Sequence, residues 1–257
     1  MINRMCLDEL PDLCARLVLW HCSEKDACVA RLVCKKWRAA VLRWKYRRVH
    51  NNAQFDALAR CANTLRHLHT LEISGCTGIT DVSALAGIHT LYMRGCTGIT
   101  DIRALAGIRE LYMRGCTGIT DIRALAGIHT LDMSGCTRIT DIRALAGIHT
   151  LWMNGCTRIT DIRALAGIHA LYMSGCADIT DVSALAGIHT LNMSGCTRIT
   201  DVSALVGIHT LHTSGCADIT DVSALVGIRV LYITRTQEHR MQGIDALRAA
   251  GCTVFVW

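Results

Sequence analysis

The sequence predicts an α/β repeat solenoid with a parallel β-sheet on its concave face and short 3₁₀ turns on its convex face, preceded by a small all-α module. Three observations predict it. A twenty-residue block recurs eight times between Leu68 and Gly227; each block opens on a period-two alternation and closes on a tight turn ending in Gly; and the chain abandons the period on either side. Twenty residues leave room for one strand and its return path, so the copies must pair strand to strand and share one core.

The unit "IHTLYMRGCTGITDIRALAG", Ile88 to Gly107, shows how. Alternation in "TLYMR" sends Leu91 and Met93 inward and Thr90, Tyr92 and Arg94 outward. After Cys96 the chain must turn back. Asp101 reads as a helix N-cap and Gly107 as a left-handed stop, and the five residues between them suit a 3₁₀ turn better than an α-helix. Ile88, Leu91, Met93, Cys96, Ile99, Ile102 and Leu105 form the predicted core layer. One layer alone buries too little apolar surface to offset the ordering of its backbone, so stacking is what makes the fold possible.

The units are 68–87, 88–107, 108–127, 128–147, 148–167, 168–187, 188–207 and 208–227, with a ninth strand in "IRVLYIT". "TQEHRMQGIDALRAAG" reads as a helix stopped by Gly251 and "CTVFVW" as a last strand, so residues 228–257 form a cap over the open core. Residues 1–50 read as the helical module and 51–67 as a linker and N-terminal cap.

Composition narrows the function classes. The 257 residues are 51% hydrophobic, enough for a continuous core. Runs such as "LVLW" fall far short of the roughly 20 residues that a membrane span needs. The start "MINRMCLDELPD" has acids where a secretory signal needs an apolar stretch. Eight of the fifteen cysteines, from Cys76 to Cys216, occupy one position of the unit. Stacked side chains run parallel, which is poor disulfide geometry, so reduced thiols and a cytoplasmic or nuclear setting are expected. Residues 1–67 carry a net charge of +7, the units −3 and the tail +2. That distribution argues against nucleic-acid binding by the repeats.

The pattern apolar-x-x-Leu-x-Met-x-x-Cys is that of a leucine-rich repeat with Cys in its Asn/Cys slot. "LHTLEISGCTGITD" resembles the cysteine-containing repeats of F-box proteins, and "ITDVSAL" resembles the short internalin-like repeats with a convex 3₁₀ turn. The unit here is shorter than either family's usual period.

The chain's one proline, Pro11, stands in "ELPDLCARLVLWHCSEKDACVARLVCKKWRAAV". This stretch resembles an F-box: Leu10 and Pro11 open it, Leu13 and Leu17 supply the first apolar stripe, Asp26 starts a later helix, and Leu32, Val33, Cys34, Trp37 and Arg38 close it. It departs from the pattern at Cys14 and Ala27. Val29, Val33, Trp37 and Trp44 recur at helical spacing. The resemblance implies docking on a Skp-type adaptor of a cullin-RING ubiquitin ligase, with Leu10, Pro11, Leu13, Leu17 and Leu32 as the contact residues. A plain helical cap for the solenoid is the other reading. The basic run "KKWRAAVLRWKYRR" reads as a helix with a packed apolar face and a solvated charged face, in preference to a nucleic-acid or membrane-surface helix.

Eight copies in one chain show which letters vary. The central outward column reads Glu72, Tyr92, Tyr112, Asp132, Trp152, Tyr172, Asn192, His212 and Tyr232, and its neighbour includes Arg94, Arg114 and Asn154. The core letters hardly change while these do. The residue types are those that anchor protein interfaces, so Tyr92, Arg94, Tyr112, Arg114, Asp132, Trp152, Asn154, Tyr172, Asn192, His212 and Tyr232 are the expected partner-binding set. Nine strands at ~4.8 Å give a face about 40 Å long, suited to a protein or peptide.

Three further ladders read as structural. The histidines from His69 to His209 form a rim with no second type of metal ligand beside them, the cysteines pack as small hydrophobes, and the aspartates from Asp81 to Asp221 cap turns. No singular catalytic trio or phosphate loop is present, and no cofactor is expected. The expected function is that of a non-catalytic substrate receptor of a Skp–cullin–F-box ligase. A leucine-rich repeat scaffold without a ligase is the alternative, and an exported internalin-like adhesin is a third.

Overall fold

The computed structural model of the chain describes residues 46–60 and 68–257. Among these residues eleven strands form a single parallel sheet in strictly sequential order. They are β1 (Tyr46–Arg48), β2 (Thr70–Glu72), β3 (Thr90–Tyr92), β4 (Glu110–Tyr112), β5 (Thr130–Asp132), β6 (Thr150–Trp152), β7 (Ala170–Tyr172), β8 (Thr190–Asn192), β9 (Thr210–His212), β10 (Val230–Ile233) and β11 (Thr253–Val256). From β2 to β9 the register advances by one unit per strand: Leu71 pairs with Leu91, Leu91 with Leu111, and so on. Identical letters therefore stack on one another, which is how one repeated sentence becomes a continuous core.

The alternation falls as the unit predicts at Leu91, Tyr92, Met93 and Arg94, while Thr90, read as outward, is only 5% exposed. Leu91 and Met93 are fully buried, and every member of the expected layer from Ile88 to Leu105 is at most 4% exposed. The chain then returns through a 3₁₀ turn at Arg103–Leu105, repeated from Ser83–Leu85 to Ser203–Leu205. Gly107, at φ +81°, stops it in the left-handed region.

The capping aspartate sits one residue earlier than expected. Ile102, not Asp101, holds the N-cap position, and Asp101 Oδ1 accepts the Arg103 N–H at 2.9 Å. This is an Asx turn leading into the helix. The shift has a packing cause: Ile102 must face the core at the point where the turn begins, so the polar side chain moves back to the exposed preceding position.

Each ladder cysteine donates its thiol to the carbonyl of the residue just past the preceding strand, as Cys136 does to Met113 at 3.2 Å. Cys therefore does the work of an amide side chain in this slot, closing each unit onto the last.

Both ends depart from the sequence reading. The last three residues of the basic run, read as helical, are a strand. Tyr46–Arg48 form β1 on the edge of β2, and the Val49 N–H reaches Glu72 O at 2.7 Å. The edge of a parallel sheet offers unpaired backbone groups, and this segment satisfies them. Val49 and Phe55, the latter on the helix α1 (Asn52–Arg60), cover the core there. The helical module expected over residues 1–50 lies, up to residue 45, outside the described residues.

At the other end the single helix expected over 236–251 is two, α2 (Arg235–Glu238) and α3 (Ile244–Ala249). Between them Gln242 pairs with the eighth unit, donating to Thr220 O at 2.8 Å and accepting from the Val222 N–H at 3.0 Å. Gly243 follows at φ +90°, where a Cβ would stand 2.6 Å from Ser223 N. The backbone passes too close for any side chain, and that close approach breaks the helix. Thr234 and Gln237 form a capping box at α2, while Gln237 Nε2 donates to Thr213 O and Cys216 O, both at 2.9 Å. Gln237 thus takes the Thr213 carbonyl that a cysteine at the next ladder position, held by Thr236, would have taken.

Candidate functional site

The outward column of the strands lines the concave face, and its side chains are half-buried by their neighbours along the sheet. Aligned register places like rings one strand apart, so the aromatics stack. Tyr92 and Tyr112 lie 4.5 Å apart with planes at 4°, Trp152 and Tyr172 5.2 Å apart at 6°, and His212 and Tyr232 3.8 Å apart at 8°. Tyr232 continues onto Phe255 at 4.8 Å. Phe255 belongs to this column, but the sequence reading ended it at Tyr232; the alternation in "TVFVW", with Val254 and Val256 turned to the core, carried the signal.

Three ring stacks are thus separated by two polar residues, Asp132 and Asn192. Each anchors the flanking column. The Ser134 N–H donates to Asp132 Oδ1 at 3.0 Å, and the Ser194 N–H donates to Asn192 Oδ1 at 3.0 Å. Between them Asn154 bridges strands: its Nδ2 donates to Ser134 Oγ at 3.3 Å and its Oδ1 accepts the Ser174 N–H at 2.9 Å. Ser174 Oγ in turn donates to Asn192 Oδ1 at 2.9 Å. This network from β5 to β8 was not read from the sequence, because it depends on which rotamers meet across strands.

Arg94 and Arg114 stand exposed on the flanking column, beside the Tyr92–Tyr112 stack. Burial raises the Tyr112 hydroxyl above its ordinary value, with Glu110 adding to the effect, and burial lowers the His212 imidazole below its own. The neutral forms of both groups are favoured. All eleven residues expected to bind a partner share this one surface. Leu10, Pro11, Leu13, Leu17 and Leu32, expected to bind an adaptor, lie outside the described residues.

The histidines form a second column at the strand entrances. His129, His149, His169, His189 and His209 stack at 4.5 to 4.8 Å. Most of them place Nδ1 near the hydroxyl of the following threonine, as His149 does with Thr150 at 3.0 Å. Among the described residues no three His, Cys, Asp or Glu side chains gather as a metal site.

Comparison with known proteins agrees with the fold. The family model of the F-box domain matches residues 7–48, and a leucine-rich repeat family model matches residues 64–86. No curated protein matches the chain by sequence. Among solved structures, an internalin (inlF) from Listeria monocytogenes is similar at a TM-score of 0.53 and 16% identity, covering 96% of this chain and 90% of that one. The leucine-rich repeat domain of the type III effector XopL aligns at a TM-score of 0.44 and 14% identity, over 100% of this chain and 98% of that one. The internalin shares the solenoid architecture with this chain. With eleven parallel strands and regular 3₁₀ turns among them, the described residues form a leucine-rich repeat solenoid, and residues 7–48 carry the match to the F-box domain.

Proposed function

We propose that this chain is the substrate-recognition subunit of a Skp–cullin–F-box type ubiquitin ligase. Its F-box holds a Skp-type adaptor, and its concave face holds a protein substrate. The observation that carries the reading is the pairing of an F-box match at residues 7–48 with an open wall of tyrosine, tryptophan and arginine on the repeats. Such a receptor does no chemistry. It raises the effective concentration of substrate lysines near a conjugating enzyme held elsewhere in the assembly. Nine described cysteines are free thiols, which supports a cytoplasmic or nuclear setting.

Within this reading Leu10, Pro11, Leu13, Leu17 and Leu32 contact the adaptor, and the column from Tyr92 to Tyr232 contacts the substrate. A pull-down with a Skp adaptor tests it. The wild-type chain captures the adaptor and a Leu10→Ala/Pro11→Ala variant does not. A folded wild-type chain that captures none overturns the proposal.

A further inference from the structure

The two breaks in the concave ring column differ in charge and in hydrogen bonding. Asn192 is neutral, and its Oδ1 already accepts from the Ser194 N–H and from Ser174 Oγ. Asp132 carries a half-buried carboxylate whose Oδ1 accepts only the Ser134 N–H. Among the described residues Asp132 makes no ion pair, and exposed Arg114, just past β4, is not paired with it.

Ring faces stand on both sides of this carboxylate. Tyr112 gives one face to Tyr92, which leaves the opposite face turned toward β5; Trp152 gives one face to Tyr172, which leaves its other face turned toward β5 from the far side. Two strand spacings separate Tyr112 from Trp152, about 9–10 Å at ~4.8 Å each. A planar cation midway would lie roughly 5 Å from each ring, inside the ~6 Å over which a cation is held by an aromatic face. The carboxylate on the floor supplies the counter-charge.

We propose that the gap over Asp132, between Tyr112 and Trp152, is a slot for the guanidinium of an arginine side chain on the partner protein. Arginine suits it better than lysine, because a flat, weakly hydrated cation stacks on two rings while donating to a carboxylate. This rests on the reading of the concave face as a partner-binding surface and names the chemistry it selects. The neutral gap over Asn192 is the internal control.

The test is an NMR titration of the full chain with N-acetyl-arginine amide, following the Trp152 indole resonance assigned through Trp152→Phe. Addition of the probe shifts that resonance saturably. N-acetyl-citrulline amide, of the same shape without the charge, leaves it in place. Asp132→Asn weakens the response by about tenfold, the size expected for loss of a charge-assisted contact. This variant should fold, because Asn keeps the acceptor for Ser134 just as Asn192 does for Ser194. No shift with the arginine probe, or an equal response in Asp132→Asn or with citrulline, overturns the slot. Adaptor capture with a silent slot removes this inference alone, and an arginine-responsive slot without adaptor capture removes the ligase reading alone.

Discussion

Cys116 donates its thiol to the carbonyl oxygen of Met93 at 3.0 Å, and that same oxygen accepts the Cys96 N–H at 3.1 Å. One carbonyl thus ties two successive units. Burial pushes the Cys116 thiol up to about 12 from an ordinary 9.0, and Cys136 and Cys156 likewise to about 12. A thiol so far from ionising is not a nucleophile at neutral pH.

Alkylation followed by peptide mapping should therefore leave Cys96 to Cys216 unmodified in the folded chain and label them only as denaturant opens the solenoid. Labelling of these positions in native buffer at the rate of a free peptide would show the ladder to be open. The same shift fixes the sign at high pH. The folded thiols ionise later than the unfolded ones, so their contribution is fully present below about pH 9 and is lost as pH rises through 11 to 12. Thermal melting should fall steeply over that range.

The convex face sets the acid limit. Side-chain hydrogen bonds from Arg123, Arg143 and Arg163, together with their backbone N–H groups, hold Asp121, Asp141 and Asp161 down to about 2. A depressed carboxylate contributes above its unfolded value of 3.8, and that contribution disappears as pH falls toward 2. His149 and His189 act in the same direction at milder pH: desolvation, then the neighbouring imidazoles of the stack, lower both below 6.5. Stability should decline in two steps on acidification, first below about pH 6.5 and then below about pH 4; replacing the histidine column with asparagine should shrink the first step and leave the part that buried His212 contributes. A melting temperature flat from pH 7 to pH 5 would remove the histidine step.

Gly107, at the end of a unit, and Gly243, in the C-terminal cap, test backbone strain separately from crowding. Gly107 has φ +81° and nothing within 4 Å of a would-be Cβ, so Gly107→Ala meets only the left-handed penalty, about 1–2 kcal/mol. Gly243 has φ +90° and the Ser223 backbone at 2.6 Å. Gly243→Ala meets both costs and should cost more than Gly107→Ala and free the cap from the eighth unit. Denaturation curves compare the totals, and hydrogen exchange at Val222 and Gln242 reports the cap locally.

How far these features could be read in advance follows from their range. The strand parity, the core layer and the left-handed glycines depend on neighbours one or two letters away or on the copy twenty letters on, and both relations are printed in the repeat. The ends lack that support. Tyr46–Arg48 pair as a strand because β2 presents an open edge, which no local helical spacing reveals, and the helix break at Gly243 comes from Ser223, twenty residues earlier. On the concave face the outward letters were legible as a column. Their grouping into three stacks interrupted by Asp132 and Asn192 emerged only once like rings lay at one strand spacing, and Phe255 joined them because β11 copies the register of β10.

Leu151 and Trp152 are chain neighbours with opposite duties, and comparing them tests the whole arrangement. Leu151 is fully buried between identical leucines of β5 and β7, so Leu151→Ala leaves a cavity that adjoining units cannot fill and should cost about 2–5 kcal/mol. Trp152 is half-buried with one face against Tyr172 and takes no part in the core. Trp152→Ala removes one stacking contact, worth roughly 0.5–1.5 kcal/mol beyond lost area, and should leave the solenoid folded. Its effect belongs to binding: an aromatic anchor at the centre of an interface commonly costs about 2 kcal/mol or more when truncated. Measured side by side, Leu151→Ala should lower the denaturation midpoint with little intrinsic change in partner affinity, and Trp152→Ala should do the reverse. If Trp152→Ala unfolds the chain as readily as Leu151→Ala, the tryptophan is a core residue, and the concave wall cannot be the partner surface.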